Sequence, residues 1–205
     1  MPRLYLASKS PRRRELLTTI GVTDFEVMPV GMADVLTFVE GDEEQLPGES
    51  AENYVIRTAR EKALAALAKI RAEGRTPAPV LTADTVVISD GIVLGKPADR
   101  EEARRFMQHL SGRTHEVRTA VWVGTDAENL ASAVSVSRVT FTSLSEEQIE
   151  RYIATDEPYD KAGGYGIQGL AGLFITRIEG SYTGIMGLPV FETGNLLRPL
   201  GLTAV

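Results

Sequence analysis

Cysteine is absent from the 205 residues, which excludes disulfide frameworks, thiolate nucleophiles and Cys-based zinc or iron–sulfur sites. Histidine occurs only as His109 and His115. The first closes an amphipathic helix pattern and the second opens a strand pattern, so core packing or a backbone hydrogen bond is the expected use of each. No apolar run approaches the roughly 20 residues needed to span a bilayer, no apolar leader core precedes the first arginines, and no repeat or low-complexity tract is visible. A cytoplasmic protein with no membrane partner is the simplest expectation. Positive charge is in deficit, with 22 Lys and Arg against 28 Asp and Glu and a net charge of −6. That argues against a basic field for a nucleic-acid polymer, while leaving room for one focused basic pocket. The rest is ordinary globular composition, 43% apolar and 24% charged, long enough for a single domain or one domain with a small lobe.

The chain is organised around RLYLASKSPRRRELL, residues 3–17. Leu4, Tyr5, Leu6 and Ala7 read as a short strand, and Ser10-Pro11 as an N-cap and first helical residue. Arg12, Arg13 and Arg14 then fall in the first helical turn, where the dipole and unpaired amides disfavour cations. An anion held by amides, the Ser8 and Ser10 hydroxyls and at least two guanidiniums would offset them, and phosphate suits that geometry. The alternative is a solvated basic turn.

Downstream, residues 31–50 are acidic and aperiodic, read as a long surface loop that includes Glu40 to Glu44. The strongest helix signal begins near Ser50, with Val55, Ala59, Ala63 and Ala66 along one face. Glu52, Ala59 and Lys62 lie near a common side of it, so Glu52 is either a helix-end charge or faces the site. VLTADTVVI, residues 80–88, reads as a buried strand interrupted by Asp84 and Thr85; a carboxylate there is costly unless paired or metal-bound. Asp90-Gly91 signals a hairpin leading to Lys96 on a restrained loop. Asp99/Glu102 and Ser145/Gln148 have capping-box spacing. Residues 114–125 and 130–142 form an expected strand pair, with a bulge or change of packed face between Val134/Val136 and Val139/Phe141. DKAGGYGIQG, residues 160–169, combines Lys161 and Gln168 with four glycines that permit close ligand approach. Pro189 opens a last helix. Strands alternating with helices, plus two hairpins, indicate an α/β (mixed α+β) fold on a mixed sheet.

Two polarities emerge. Arg12, Arg13, Lys62, Lys96 and Lys161 are candidate phosphate ligands, while Glu52 and Asp84 could hold a divalent cation. Metal-assisted hydrolysis of a phosphoanhydride uses both, and an allosteric phosphate-binding module is the competing reading. Trp122 has the neighbours of a core residue. The Tyr165 hydroxyl and the Gln168 amide could read the edge of uracil or thymine.

Ser8-x-Ser10-Pro11-Arg12-Arg13, Glu52 in its helix, Ala83-Asp84-Thr85-Val86-Val87, Gly95-Lys96-Pro97, Ser111-Gly112, Asp160-Lys161-Ala162-Gly163, Tyr165-Gly166-Ile167-Gln168-Gly169 and Gly187-Leu188-Pro189 occur in that order. Together they resemble the signatures of the Maf family of nucleoside triphosphate pyrophosphatases, over nearly the whole chain. The resemblance implies hydrolysis of a nucleoside triphosphate to monophosphate and pyrophosphate with Mg²⁺ or Mn²⁺. It also implies one domain, 1–205, with an elongated mixed sheet similar to that of inosine-triphosphatase-type enzymes and two lobes around a central cleft, often as a homodimer. Asp84 would be the proton acceptor, with Glu52 and Lys96 completing the catalytic set, and Arg12, Thr85 and Gln168 would bear on substrate choice. The double arginine and YGIQG resemble the branch acting on dTTP and UTP rather than that associated with 7-methyl-GTP. A link of the family to inhibition of septum formation supplies a binding-protein alternative.

Overall fold

The computed structural model describes residues 3–30 and 45–203. Most of the acidic stretch expected as a surface loop, including Glu40 to Glu44, lies outside the described residues. The elements are β1 (Leu4–Leu6), α1 (Pro11–Thr19), β2 (Phe25–Val27), α2 (Ala51–Ala72), β3 (Val80–Ser89), β4 (Ile92–Leu94), α3 (Arg100–Leu110), β5 (Thr114–Gly124), β6 (Leu130–Phe141), α4 (Glu146–Ile153), β7 (Ile175–Glu179), α5 (Tyr182–Met186) and α6 (Val190–Leu197), with short 3₁₀ turns between α4 and β7. One seven-stranded sheet runs in the order β2-β1-β3-β5-β6-β7, with β4 paired to β3. β1 is parallel to β2 and β3, whereas β3–β4 and β6–β7 are antiparallel. The fold is thus the mixed-sheet α/β expected from the alternating pattern. Among the described residues no helix is long and apolar enough to cross a membrane.

The chain divides into two compact units, Met1–Asp84 with Thr119–Ser135 and Gly187–Val205, and Thr85–Arg118 with Val136–Met186. In the first, β1 is buried throughout, at 0%, 2% and 1% exposure for Leu4, Tyr5 and Leu6, as a strand with parallel partners on both edges requires. The α2 N-cap is Ser50, whose side chain accepts from the Asn53 amide at 3.2 Å. Val55, Ala59, Ala63 and Ala66 are all fully buried. Their small size lets helix and strand approach closely enough for Thr82 Oγ1, itself fully buried, to donate to the Ala59 carbonyl at 2.9 Å. Trp122 packs on the same helix, donating from Nε1 to the Ile56 carbonyl at 3.2 Å beneath the Arg60 guanidinium.

In the second unit, Ser89 pairs with Ile92, so Asp90-Gly91 is a two-residue turn. Both residues have positive φ, 51° and 79°, the type I′ geometry that Asp-Gly favours. Ser145 and Gln148 make a full capping box. At α3 the pattern is displaced: Asp99 accepts from the Glu102 amide, but the Glu102 carboxylate reaches Ala98 rather than the cap residue. The core centres on Phe141, in edge contact with His115, Tyr165 and Phe174. His115 is a packed histidine, as expected.

The bulge or change of packed face expected in β6 does not occur between Val134/Val136 and Val139/Phe141. From 135 to 141 burial alternates without interruption, with Ser135 and Ser137 inside alongside Val139 and Phe141, while Val136 is 47% exposed. Ser137 can sit inward because its hydroxyl is satisfied by the Ser181 backbone, accepting at 2.9 Å and donating at 3.2 Å. The irregularity falls later, at Thr140/Phe141 against β7.

Candidate active site

Asp84 closes the first unit's stretch of β3 after Val80, Leu81, Thr82 and Ala83, all at most 1% exposed. Its carboxylate is 18% exposed and both oxygens are engaged by α2: Thr58 Oγ1 donates to Oδ2 at 2.5 Å, and Lys62 Nζ donates to Oδ1 at 3.0 Å. Thr58 and Lys62 are one turn apart and so share a face. Burial is the largest influence on this carboxyl and opposes ionisation. The Lys62 and Arg13 charges and the Thr58 and Lys62 hydrogen bonds together outweigh it, leaving the pKa below the ordinary 3.8. Asp84 is therefore an anion at neutral pH.

The turn after β1 supplies the cations. Ser8 is buried, and its Oγ accepts from the Ser10 amide at 3.1 Å and from Arg13 Nη1 at 3.3 Å. Arg13 Nε donates to the Gly187 carbonyl at 2.7 Å, which ties the first turn of α1 to the Gly187-Leu188-Pro189 segment. Burial, the largest influence, lowers the Arg13 pKa; Asp84 opposes this and neighbouring Arg12 adds to it. Ser10 has the extended backbone of an N-cap but makes no side-chain cap bond, and the first turn holds no acidic residue. Two adjacent guanidiniums at a helix start with no acidic cap favour an anionic ligand.

Of the residues singled out in the sequence, Ser8, Ser10, Arg12, Arg13, Glu52, Lys62 and Asp84 belong to the first unit. Ser8 meets Arg13, and Lys62 meets Asp84. Glu52 is exposed in the first turn of α2, where the helical rise puts it about 9 Å along the axis from Thr58. Thr58 was not singled out, although its spacing of four from Lys62 was a usable signal.

Thr85, Lys96, Lys161 and Gln168 belong to the second unit. Lys96 and Gln168 are exposed. The Gly163 amide donates to the Gly95 carbonyl at 2.9 Å, joining the Lys96 loop to the glycine-rich segment. Gly163, at φ +69°, is required there: an added Cβ would lie 2.8–3.0 Å from the Val87 side chain. Lys161 donates to the Glu157 carbonyl at 2.8 Å and pairs with Asp160. Tyr165, read as a contact for a base edge, is 5% exposed and its hydroxyl bonds His115 Nε2 at 2.7 Å. Burial pushes the His115 pKa down to about 4. The pair is a neutral core contact, which removes Tyr165 from the base-reading candidates. Its position in an Ile/Gln/Gly-rich segment hid that, because the partner lies 50 residues away.

Comparison with known proteins identifies the family. A family model described as Maf-like protein matches residues 3–200. The chain is 52% identical over 202 residues to a dTTP/UTP pyrophosphatase of Bordetella avium, covering 98% of this chain and 96% of that protein. It is 52% identical over 199 residues to one of Cupriavidus metallidurans, covering 97% of each. The solved Ham1 protein of Staphylococcus aureus overlaps 96% of both chains at 12% identity and a TM-score of 0.43, too low to bear on fold or function.

Replacing Lys62 with Met tests the charge balance at Asp84. Because the wild-type folded pKa is depressed, the contribution of Asp84 to stability is full above about pH 4 and is lost as pH falls through the folded value. Removing Lys62 takes away two of the four influences that oppose burial, its charge and its hydrogen bond, so the folded pKa should rise and the sign reverse. Urea unfolding should show Lys62→Met destabilised by about 3 kcal/mol at pH 7, the lower end of the cost of an unpaired buried charge, and by clearly less at pH 5. An equal loss at both pH values would show that the ion pair does not set the balance.

Proposed function

The chain belongs to the Maf-like protein family, and on that footing we propose that it is a nucleoside triphosphate pyrophosphatase hydrolysing dTTP and UTP to the monophosphate and pyrophosphate. The observation that carries this is near-full-length 52% identity to proteins bearing that name. The cluster of Asp84, Lys62, Thr58 and Arg13 supports the chemistry, since it holds a carboxylate ionised beside cations that suit a polyphosphate.

In this reading Arg12 and Arg13, with the Ser8 and Ser10 hydroxyls, take the phosphates at the start of α1. Lys62 is an ammonium with three N–H donors, and it holds Asp84 through Oδ1. Drawn toward a phosphate oxygen, it neutralises charge there and at the same time loosens its hold on Asp84. The carboxylate then becomes more basic as substrate arrives, and it accepts the proton of the attacking water. Cleavage between the α- and β-phosphates releases pyrophosphate. In the second unit Thr85, Lys96 and Lys161 contact substrate, and Gln168, offering an acceptor and two donors, reads the pyrimidine edge.

A divalent cation, Mg²⁺ or Mn²⁺, is part of the proposal. Asp84 and Glu52 offer the hard oxygens such ions take, and among the described residues no three His, Cys, Asp or Glu side chains converge on a protein-built cage. Substrate phosphates and water would therefore complete the ligand set, as is common for Mg²⁺. Bound, the ion would neutralise nonbridging oxygen charge. The whole chain works as one two-lobed domain, as a cytoplasmic homodimer, and without a nucleic-acid polymer; a single-chain mass by light scattering at high protein concentration would overturn the dimer.

A competition assay with equal dTTP, UTP, CTP, GTP and 7-methyl-GTP and Mg²⁺ tests the reaction. Preferential conversion of dTTP and UTP, with monophosphate and pyrophosphate in equal amounts, is expected. Release of inorganic phosphate and a diphosphate, or preference for 7-methyl-GTP, would reject it.

Asp84→Asn keeps the shape but removes the proton acceptor. Turnover should fall about 10²- to 10⁴-fold with the circular dichroism spectrum retained. Near-normal turnover would move the base elsewhere.

A further inference from the structure

Glu157 lies in none of the readings above, yet the segment carrying Lys161 and Gln168 is built on its carboxylate. Oε2 accepts from the Leu170 amide at 2.7 Å, and Oε1 accepts from the Ala171 amide at 3.1 Å and the Tyr152 hydroxyl at 2.9 Å. Leu170 and Ala171 open a 3₁₀ turn, Leu170–Phe174, where the first amides have no partner within the turn. The carboxylate thus caps a helical turn from thirteen residues upstream. The Glu157 backbone carbonyl also takes the Lys161 ammonium at 2.8 Å.

The glycines flanking Gln168 are explained by the same arrangement. Gly169 has an ordinary φ of −110°, so it is not there for its conformational range. A Cβ at 169 would sit 2.2 Å from Glu157 Oε2, and one at 166 would sit 2.9 Å from Lys161 Cε. Both glycines make room for Glu157 and the Lys161 stem to pass beneath the loop. Ile167 is 8% exposed, so Gln168 projects outward from a short span fixed on its inner side.

We propose that Glu157 is a specificity-positioning residue: its carboxylate fixes the loop that presents Gln168, so that the Gln168 amide meets the base in one orientation. This rests on the base-reading role given to Gln168 above. A loop free to adjust would let the amide accommodate purines as readily as pyrimidines. A buried polar contact held in register discriminates by about tenfold or more.

The test measures kcat/KM for dTTP and for GTP, with thermal melts, in Glu157→Gln, Glu157→Ala, Gly169→Ala, the Glu157→Ala/Gly169→Ala double variant and Gln168→Ala. Glu157→Gln keeps the size but can accept with only one of its two polar groups, and should lower the dTTP:GTP ratio about tenfold. Gly169→Ala should do the same in the wild-type background and add nothing in the Glu157→Ala background, because its clash is with the missing carboxylate. Lower melting temperatures with an unchanged ratio in Glu157→Gln and Gly169→Ala, while Gln168→Ala lowers it, would reduce Glu157 to a structural anchor and overturn the proposal alone. An unchanged ratio in Gln168→Ala would overturn the proposal together with the base-reading role beneath it.

Discussion

A carboxylate embedded in an apolar strand persists as an anion only if its surroundings return more than the hydration it has lost, and at Asp84 that return comes from Lys62 and Thr58 on α2 together with the Arg13 charge. Thr58 and Lys62 can both reach it because α2 is held at a fixed height against β3, and the holding is done by the neighbouring Thr82 hydroxyl on the Ala59 carbonyl. The alanines of α2 have their meaning here: larger residues at 59, 63 and 66 would push the helix away and leave the charge stranded. Packing of the first unit and the acidity of its carboxylate are therefore one problem with one solution.

The second unit solves a different problem, that of holding a glycine-rich segment still. Such a segment has a large conformational entropy to lose. Buried Gly163 and Gly164 at its start, the Gly163 bond to Gly95, and Glu157 capping from below restrict it without a long helix or strand. Flexibility suggested by composition is cancelled by contacts that composition does not display.

That contrast marks what could be read from the residues in advance. Signals with a local cause came through: the Ser50 and Ser145 caps, the Asp90-Gly91 turn, the alanine face of α2 and the helix after Pro189. The signals that misled depended on distant partners. The apolar phase of β6 shifts between Val134/Val136 and Val139/Phe141, but the packed face does not, because Ser137 takes an inward place where the Ser181 backbone satisfies it. Tyr165 looked available until His115 claimed its hydroxyl. Asp84 could be flagged as expensive to bury, but only the spacing of four from Lys62 pointed to Thr58, since a threonine inside a helix usually donates to its own backbone and here donates to Asp84.

Trp122 is the chain's single tryptophan, and its indole N–H is bonded to the carbonyl of Ile56, two residues before Thr58 on α2. Arg60 lies over the same ring. The protein thus carries one intrinsic fluorophore, wired by a hydrogen bond and a cation to the helical turn that grips Asp84. Any shift of that turn changes the polarity and charge felt by the indole, so emission wavelength and quenching become an optical readout of this helix in the unlabelled molecule.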